Sequence, residues 1–471
     1  MNENFEIFKA TIKGKKVAVA GLGISNMPAV EFLSSLGANV YAFDKRESLT
    51  PEEFKFLEPL CEDIVLGENY LNDFDGFDII LKSPGIPPYA GNIQRAVEKG
   101  ACLTSEMEIF MSLCPCKIIA VTGSDGKTTT TTLIYEMLKN TKAKVFLGGN
   151  IGKPLLNEIE LISPEDYVVL ELSSFQLQTM KISPDVAVIT NLSPNHLDYH
   201  KGGMDEYIEA KTNIYNFQNE DGILVLNADN ATTASLIGTQ KGKLLTFSAK
   251  KEIKDGAYFM ANQIYANGEF IMNSSDIRIK GMHNVENYLA AICAVNGLVS
   301  KQKILSVARE FGGVKHRMQY VKTIDGVDFY NDSIGSSPSR TIAGLEAHEG
   351  KIVLIAGGYD KKIPFDTLGC AVNKYVDSVV LCGATSQKIK DSILNAPNYR
   401  KQVKIFEESE FENAVKTAFS VAKSQSMGQR ISVILSPACA SFDMFKNFEV
   451  RGDTFISIVN KLQGESFNEQ L

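Results

Sequence analysis

Short apolar runs, each closing on a glycine or a polar turn, recur along the chain and alternate with stretches of helical character. Lys16 to Ala20 runs into Gly21-Leu22-Gly23, helix-like text follows from Pro28 to Leu36, and Val40 to Phe43 closes on Asp44. That spacing predicts a βαβ opening. Phe77 to Ile86 reads as a further strand ending in a turn. Ile118 to Thr122, Val168 to Leu170, Val186 to Thr190 and Ile223 to Leu226 are rich in Val, Ile and Leu, as parallel strands covered on both faces require. A third series, Ile352 to Ala356, Val379 to Leu381 and Ile431 to Leu435, ends in Gly357-Gly358, Gly383 and Ser436-Pro437. No low-complexity linker and no repeat at solenoid spacing interrupts the pattern.

Length narrows the architecture. At 471 residues the chain exceeds one ordinary core, and usual domain size predicts about three. The fold class expected is α/β, with an N-terminal Rossmann-like domain (1–113), a central P-loop ATPase-type parallel sheet (114–313) and a C-terminal Rossmann-like domain (314–471). Net charge of −8 argues against a nucleic-acid partner. No apolar run is long enough to cross a membrane, and Met1 to Lys16 is charged and lacks a signal-peptide core, so a cytoplasmic protein is expected. Eight cysteines lack paired C-x-x-C spacing and read as reduced thiols; Cys114-Pro115-Cys116 is the only close pair.

The most informative chemistry lies in Val121-Thr122-Gly123-Ser124-Asp125-Gly126-Lys127-Thr128-Thr129. A strand running into a glycine turn and then Lys-Thr reads as a triphosphate cradle: backbone N–H groups close on phosphate oxygens, Lys127 neutralises charge and the Thr128 hydroxyl is placed for Mg²⁺. The turn is shorter than the usual P-loop and lacks its first glycine, so a turn that merely caps a helix is the competing reading. Five threonines, Thr128 to Thr132, are poor helix starters and point to a demand on at least one hydroxyl. Glu171, at the tip of a buried strand, is placed to hold Mg²⁺ or to be satisfied by backbone donors. His196 follows a strand end in the same region. Asn284 and Asn287 are three apart and share a helix face, so both amides reach one ligand such as a purine or ribose, while capping accounts for only one of them. In the first part, Gly21 to Asp44 resembles a dinucleotide fingerprint with Asn26 in place of the third glycine; a small nucleotide-type ligand and plain βα turn chemistry both fit.

Taken in order, these segments, with Asn331-Asp332-Ser333, Gly357 to Lys362 and Leu435 to Gly452, resemble the Mur ligases, ATP-dependent amide-forming enzymes of peptidoglycan precursor and cell-wall synthesis. The resemblance covers nearly the whole chain. Within the family, Leu435 to Gly452 is similar to the branch that adds D-glutamate to UDP-N-acetylmuramoyl-L-alanine, and the Asp-Asn-Pro-Arg signature of the diaminopimelate- and lysine-adding branches is absent.

The resemblance implies a reaction in which ATP phosphorylates the substrate carboxylate and the D-glutamate amine attacks the acyl phosphate, releasing ADP and phosphate. It places Gly123, Ser124, Asp125, Gly126, Lys127, Thr128, Thr129, Asn284, Asn287, Arg317 and Asp332 around ATP, with Lys127, His196 and Lys211 catalytic. Thr128, Glu171, His196 and Lys211 would serve two Mg²⁺ ions, Lys211 as a carbamate; without CO₂ capture, Lys211 is a solvated helix lysine. Leu22, Ser25, Asp44, Lys45 and Gly85 would surround the UDP group, with Asn150, Ser173 and His196 facing the muropeptide. Lys361, Ser336, Ser441 and the Phe448 backbone would meet D-glutamate. A monomer that does not insert into membranes is implied. Two positions depart from the family pattern: Ile334 stands where a lysine is usual, with Ser336 for a threonine, and Asn195 replaces an aspartate. Competing readings are a sister ligase with another amino acid, a nonenzymatic nucleotide-binding regulator and, from Gly21 to Asp44 alone, an NAD-dependent oxidoreductase.

Overall fold

The computed structural model describes residues 2–139, 142–194, 199–346, 348–360, 363–399, 401–426 and 430–462. His196, Asn195 and Lys361 fall outside these residues. Three sheets follow one another in chain order. The first is wholly parallel: β1 (Lys16–Ala20), β2 (Asn39–Asp44), β3 (Asp63–Leu66), β4 (Ile79–Lys82) and β5 (Cys102–Thr104), in the order β3-β2-β1-β4-β5. Strand order reverses at β1, which opens a crevice beyond the carboxyl ends of β1 and β4.

The second sheet holds β6 (Lys117–Thr122), β7 (Val145–Gly149), β8 (Tyr167–Glu171), β9 (Val186–Ile189), β10 (Ile223–Asn227), β11 (Lys243–Ser248), β12 (Gly256–Met260), β13 (Gln263–Ala266) and β14 (Glu269–Asn273). It is ordered β14-β13-β12-β11-β10-β9-β6-β8-β7 and is parallel from β7 to β12. The last strands form an antiparallel meander that the apolar pattern alone does not announce. Its turns carry positive φ at Ala261-Asn262 and at Asn267-Gly268, the backbone a two-residue hairpin needs.

The third sheet has β15 (Gln319–Ile324), β16 (Val327–Asn331), β17 (Lys351–Ala356), β18 (Ser378–Cys382), β19 (Lys404–Glu408) and β20 (Ile431–Leu435), ordered β15-β16-β20-β17-β18-β19. Only the β15/β16 pair is antiparallel, across an Asp325-Gly326 turn. Buried clusters line both faces of this sheet, with Phe329, Val353 and Phe455 on one side and Leu354, Leu368 and Ile434 on the other.

Packing divides the chain into two compact units, Met1–Phe311 and Gly312–Leu471. The expected division at 113/114 is not a gap in packing. Val17, Leu33, Leu81 and Phe110 share one apolar cluster with Ile118, Leu170 and Ile189, so the first two sheets are covered by a common core. Among the described residues, no helix is long and apolar enough to cross a membrane.

Candidate functional site

β6 ends at Thr122 and the chain turns through Gly123 to Gly126 into the helix Lys127–Leu138. Gly123 sits at φ +149 and Gly126 at φ +76, and a Cβ at either would run into Thr190 Oγ1 or Asn287 Oδ1 respectively. Glycine is therefore required by contact as well as by φ. The Gly126 cap offers no side-chain bond to the start of the helix, and a helix N-terminus of this kind carries a positive dipole end that suits an anion. The turn is pinned by the segment after β9: Asp125 N donates to Asn191 Oδ1 at 3.0 Å, Ser124 N to Asn191 O at 2.9 Å, and Thr190 Oγ1 to Asp125 O at 2.6 Å. Ser124 Oγ also lies 2.9 Å from Tyr207 Oη. Lys127 curls back, its Nζ donating to Gly123 O and Ser124 O at 2.8 Å each. Thr190, Asn191 and Tyr207 carried no assignment from sequence, because the turn they support is formed only in three dimensions.

The threonine run has a largely internal explanation. Thr131 Oγ1 donates to Lys127 O at 2.8 Å and Thr132 Oγ1 to Thr128 O at 2.7 Å, while buried Thr130 reaches Asn287 Oδ1 at 3.3 Å. Asn287 in turn donates to Asn284 Oδ1 at 3.2 Å. The two asparagines do share a face, and Asn287 is used to brace the turn.

Two charged side chains of the second sheet region are buried beside it. Lys211, on the helix Gly203–Asn216, is 2% exposed; its Nζ donates to Thr122 Oγ1 at 3.0 Å and Gly123 O at 2.9 Å. Burial, reinforced by the Lys127 charge, lowers its pKa well below that of an ordinary lysine. It is not the solvated helix lysine of the simpler reading. Glu171, at the end of β8, is 1% exposed; Oε1 accepts from Asn150 Nδ2 at 2.6 Å, and Oε2 has no hydrogen-bond partner among the described residues. A buried carboxylate oxygen without a donor suits a hard cation. Ser173 spends its hydroxyl in a capping box with Gln176 on the short helix Ser174–Leu177.

At the crevice of the first sheet, Asp44 accepts from Leu22 N at 2.7 Å and from Arg46 N at 2.9 Å and Nε at 3.0 Å. Burial pushes the Asp44 pKa up, but these donors and the Arg46 charge outweigh it and leave it lowered. Arg46 also spans to Glu53 at 2.9 Å and was missed from sequence, although it follows Asp44-Lys45 directly. Asn26, 2% exposed, donates to Ala20 O at 3.3 Å and Gly21 O at 2.9 Å, which accounts for its place in the fingerprint. Lys45 and Gly85 are exposed and Ser25 half-buried on the same rim. The two sheets meet at Tyr199, whose Oη lies 3.4 Å from Pro84 O and 3.3 Å from Gln178 Oε1, with its ring edge-on to Phe175 at 4.4 Å. Tyr89 Oη donates to Tyr199 O at 3.4 Å.

In the second unit, Arg317 is exposed and bracketed by His316 and Met318, both at positive φ (63° and 40°). Such backbone is uncommon outside glycine and is held by surrounding bonds, here Ile334 N to His316 O at 3.1 Å and Met318 N to Asp332 Oδ1 at 3.1 Å. Asp332 is braced again by Ser436 Oγ at 2.6 Å, and burial raises its pKa to about 6. Ala438, at φ +59, is fixed by its N–H to Gly335 O at 2.8 Å. Ser441 is buried and Ser336 and Phe448 are half-buried around the loops that follow β16 and β20.

Comparisons with known proteins cover the same ground. Residues 15–105 match the family model described as Mur ligase MurD-like, N-terminal domain; 121–295 match the Mur ligase middle domain; 316–439 match the Mur ligase glutamate ligase domain. The chain is 50% identical over 471 residues to a UDP-N-acetylmuramoylalanine--D-glutamate ligase of Clostridium kluyveri, covering 98% of this chain and 100% of that protein. Among solved structures it is similar to the UDP-N-acetylmuramate-alanine ligase MurC of Thermotoga maritima (TM-score 0.51, 19% identity, 95% and 99% of the two chains). It is also similar to the MurF ligase of that organism in complex with ADP (TM-score 0.50, 18% identity, 96% and 97% of the chains). At such identities these structures speak to the fold.

Proposed function

The chain belongs to the Mur ligase family, and we propose from that premise how its residues share out the family's ATP-dependent chemistry. It joins D-glutamate to UDP-N-acetylmuramoyl-L-alanine in peptidoglycan synthesis. A carboxylate resists amines because its carbon bears an anion's electron density; transfer of the ATP γ-phosphoryl gives an acyl phosphate whose phosphate leaves when nitrogen attacks. The observation that supports this most is the packing of Lys127 and Lys211 at one glycine turn, where the Lys127 ammonium offsets repulsion between two anions and Lys211 is buried beside it.

In this reading residues 1–113 hold the UDP group, 114–313 the ATP and 314–471 the D-glutamate, with the protein acting as a monomer. The turn from Gly123 to Thr129 and the Lys127 ammonium hold the phosphates, with the Ser124 and Asp125 N–H groups spent on Asn191 to fix the turn's shape, and Asn284, Asn287, Arg317 and Asp332 serve the rest of ATP. Leu22, Ser25, Asp44, Lys45 and Gly85 orient the UDP group, with Asn150, Ser173 and His196 at the muropeptide. Lys361, Ser336, Ser441 and the Phe448 backbone orient D-glutamate. Glu171, with its unpartnered oxygen, Thr128, His196 and Lys211 would hold Mg²⁺, which when bound neutralises phosphate charge. Burial lowers the Lys211 pKa well below that of an ordinary lysine and so favours the uncharged amine, the form that adds CO₂ to become a carbamate.

Incubation with ATP, UDP-N-acetylmuramoyl-L-alanine and D-glutamate should give the amide product by mass together with ADP. Lys127→Ala should remove most turnover, about 100-fold or more, while UDP-substrate binding stays within about twofold. Near-normal turnover would contradict the phosphate role.

A further inference from the structure

Arg451, on the helix Phe448–Lys461, is 1% exposed and among the largest fully buried side chains. Its donors all go to neutral acceptors: Nε to Ser333 Oγ at 3.0 Å, Nη2 to Ser333 O at 2.9 Å, and Nη1 to Cys439 O and Ala440 O at 3.1 Å each. Among the described residues, no ion pair includes it. A guanidinium taken out of water usually has a carboxylate beside it. Here burial outweighs the attraction of the Asp443 carboxylate and pushes the guanidinium down to about 10. The Cys439 thiol is itself raised to about 11 by burial and stays neutral, and Asp443 is exposed, with Oδ2 turned to Ala384 N at 3.0 Å.

The acceptors are not scattered. Ser333 opens the loop to Ser336, and its hydroxyl donates a hydrogen bond to Phe448 O at 2.8 Å. Ala440 O, which precedes Ser441, also accepts from Tyr359 N at 2.9 Å, two residues before Lys361. One positive charge without an ion-pair partner thus ties the loop that opens at Ser333 to the Cys439-Ala440 backbone ahead of Ser441, and through Ala440 O to Tyr359.

We propose that Arg451 is a positioning and charge-supplying residue of the D-glutamate site, a cation left without a protein carboxylate so that the substrate's carboxylates, held on the loops it organises, complete the balance. This rests on the assignment of those loops to D-glutamate. It adds discrimination: neutral amino acids of the same shape gain nothing from the buried charge.

The test uses the full-length enzyme with Arg451→Lys, Arg451→Gln and Asp443→Asn, measuring KM for each of the three substrates, kcat and the thermal midpoint. Arg451→Gln is expected to raise the D-glutamate KM roughly tenfold, with the ATP and UDP-substrate KM values changed less than about twofold; Arg451→Lys should recover most of the loss. Asp443→Asn removes the competing anion at an exposed position and should lower the D-glutamate KM about twofold. Should Arg451→Gln fail to fold, Asp443→Asn decides by its sign: a D-glutamate KM unchanged or raised overturns the proposal. So does a Gln variant whose three KM values move together, or a Lys variant no better than Gln. Wild-type enzyme that makes no amide from D-glutamate would instead refute the underlying substrate assignment.

Discussion

Burial biases a lysine toward its uncharged amine, and Lys211 is buried against Thr122, Gly123 and the Tyr207 ring. Sequence alone left it between a carbamate and a solvated helix residue, because the apolar pattern of Gly203 to Asn216 does not say which face meets β6. If the amine captures CO₂, stripping bicarbonate from the assay should lower turnover at least several-fold and adding it back should restore the rate, read by ADP release. Lys211→Arg places a permanent cation there that cannot form the carbamate, and should stay inactive with bicarbonate present. The residues to which the sequence pattern points, Gly123 to Thr128 and Glu171, are those whose proposed chemistry is local: a turn needing glycine, a carboxylate at a strand tip. Arg46, Asn191 and Arg451 were missed because each acts on a segment far along the chain or on the turn of another strand.

The elements most legible in the sequence were the buried parallel strands. β1, β6, β8, β17 and β20 coincide with continuous apolar runs because both faces of each are covered. The β12 to β14 meander was missed, since its strands are partly exposed and only Asn267-Gly268 announces it. In the helix after the glycine turn, Gly126→Ala would put a methyl group against Asn287 Oδ1 at a left-handed φ. A stability loss of about 1–3 kcal/mol and a raised ATP KM are expected, checked by chemical denaturation and ATP saturation curves. The helix Glu106–Leu113 carries a second test. Glu106 is 4% exposed with Oε1 unpartnered, and burial raises its pKa from 4.5 to about 7. The folded state therefore holds a proton that the unfolded chain has already released, so this group makes stability fall as pH rises from 4.5 to about 7. Glu106→Gln should flatten that slope and gain on the order of 3 kcal/mol at most at pH 8, measured by melts across pH.

At the scale of the molecule, domain count was readable from length and strand series, but the way the first two sheets share a core was not, because a common cluster is made of residues from distant stretches such as Phe110 and Leu170. The boundary between compact units falls at Phe311-Gly312, beside a second glycine, Gly313. A 1–311 fragment should melt cooperatively and retain affinity for the UDP substrate within about threefold, by calorimetry, while forming no amide.

Tyr199 gives that shared unit a further property. One phenol reaches from the segment ahead of His200 to the carbonyl ahead of Gly85, and Tyr89 holds the other end. Damping motion at either end therefore slows amide exchange at the other: adding the UDP substrate should increase hydrogen–deuterium protection across residues 199–204 as well as 83–86, and Tyr199→Phe should leave only the latter protected.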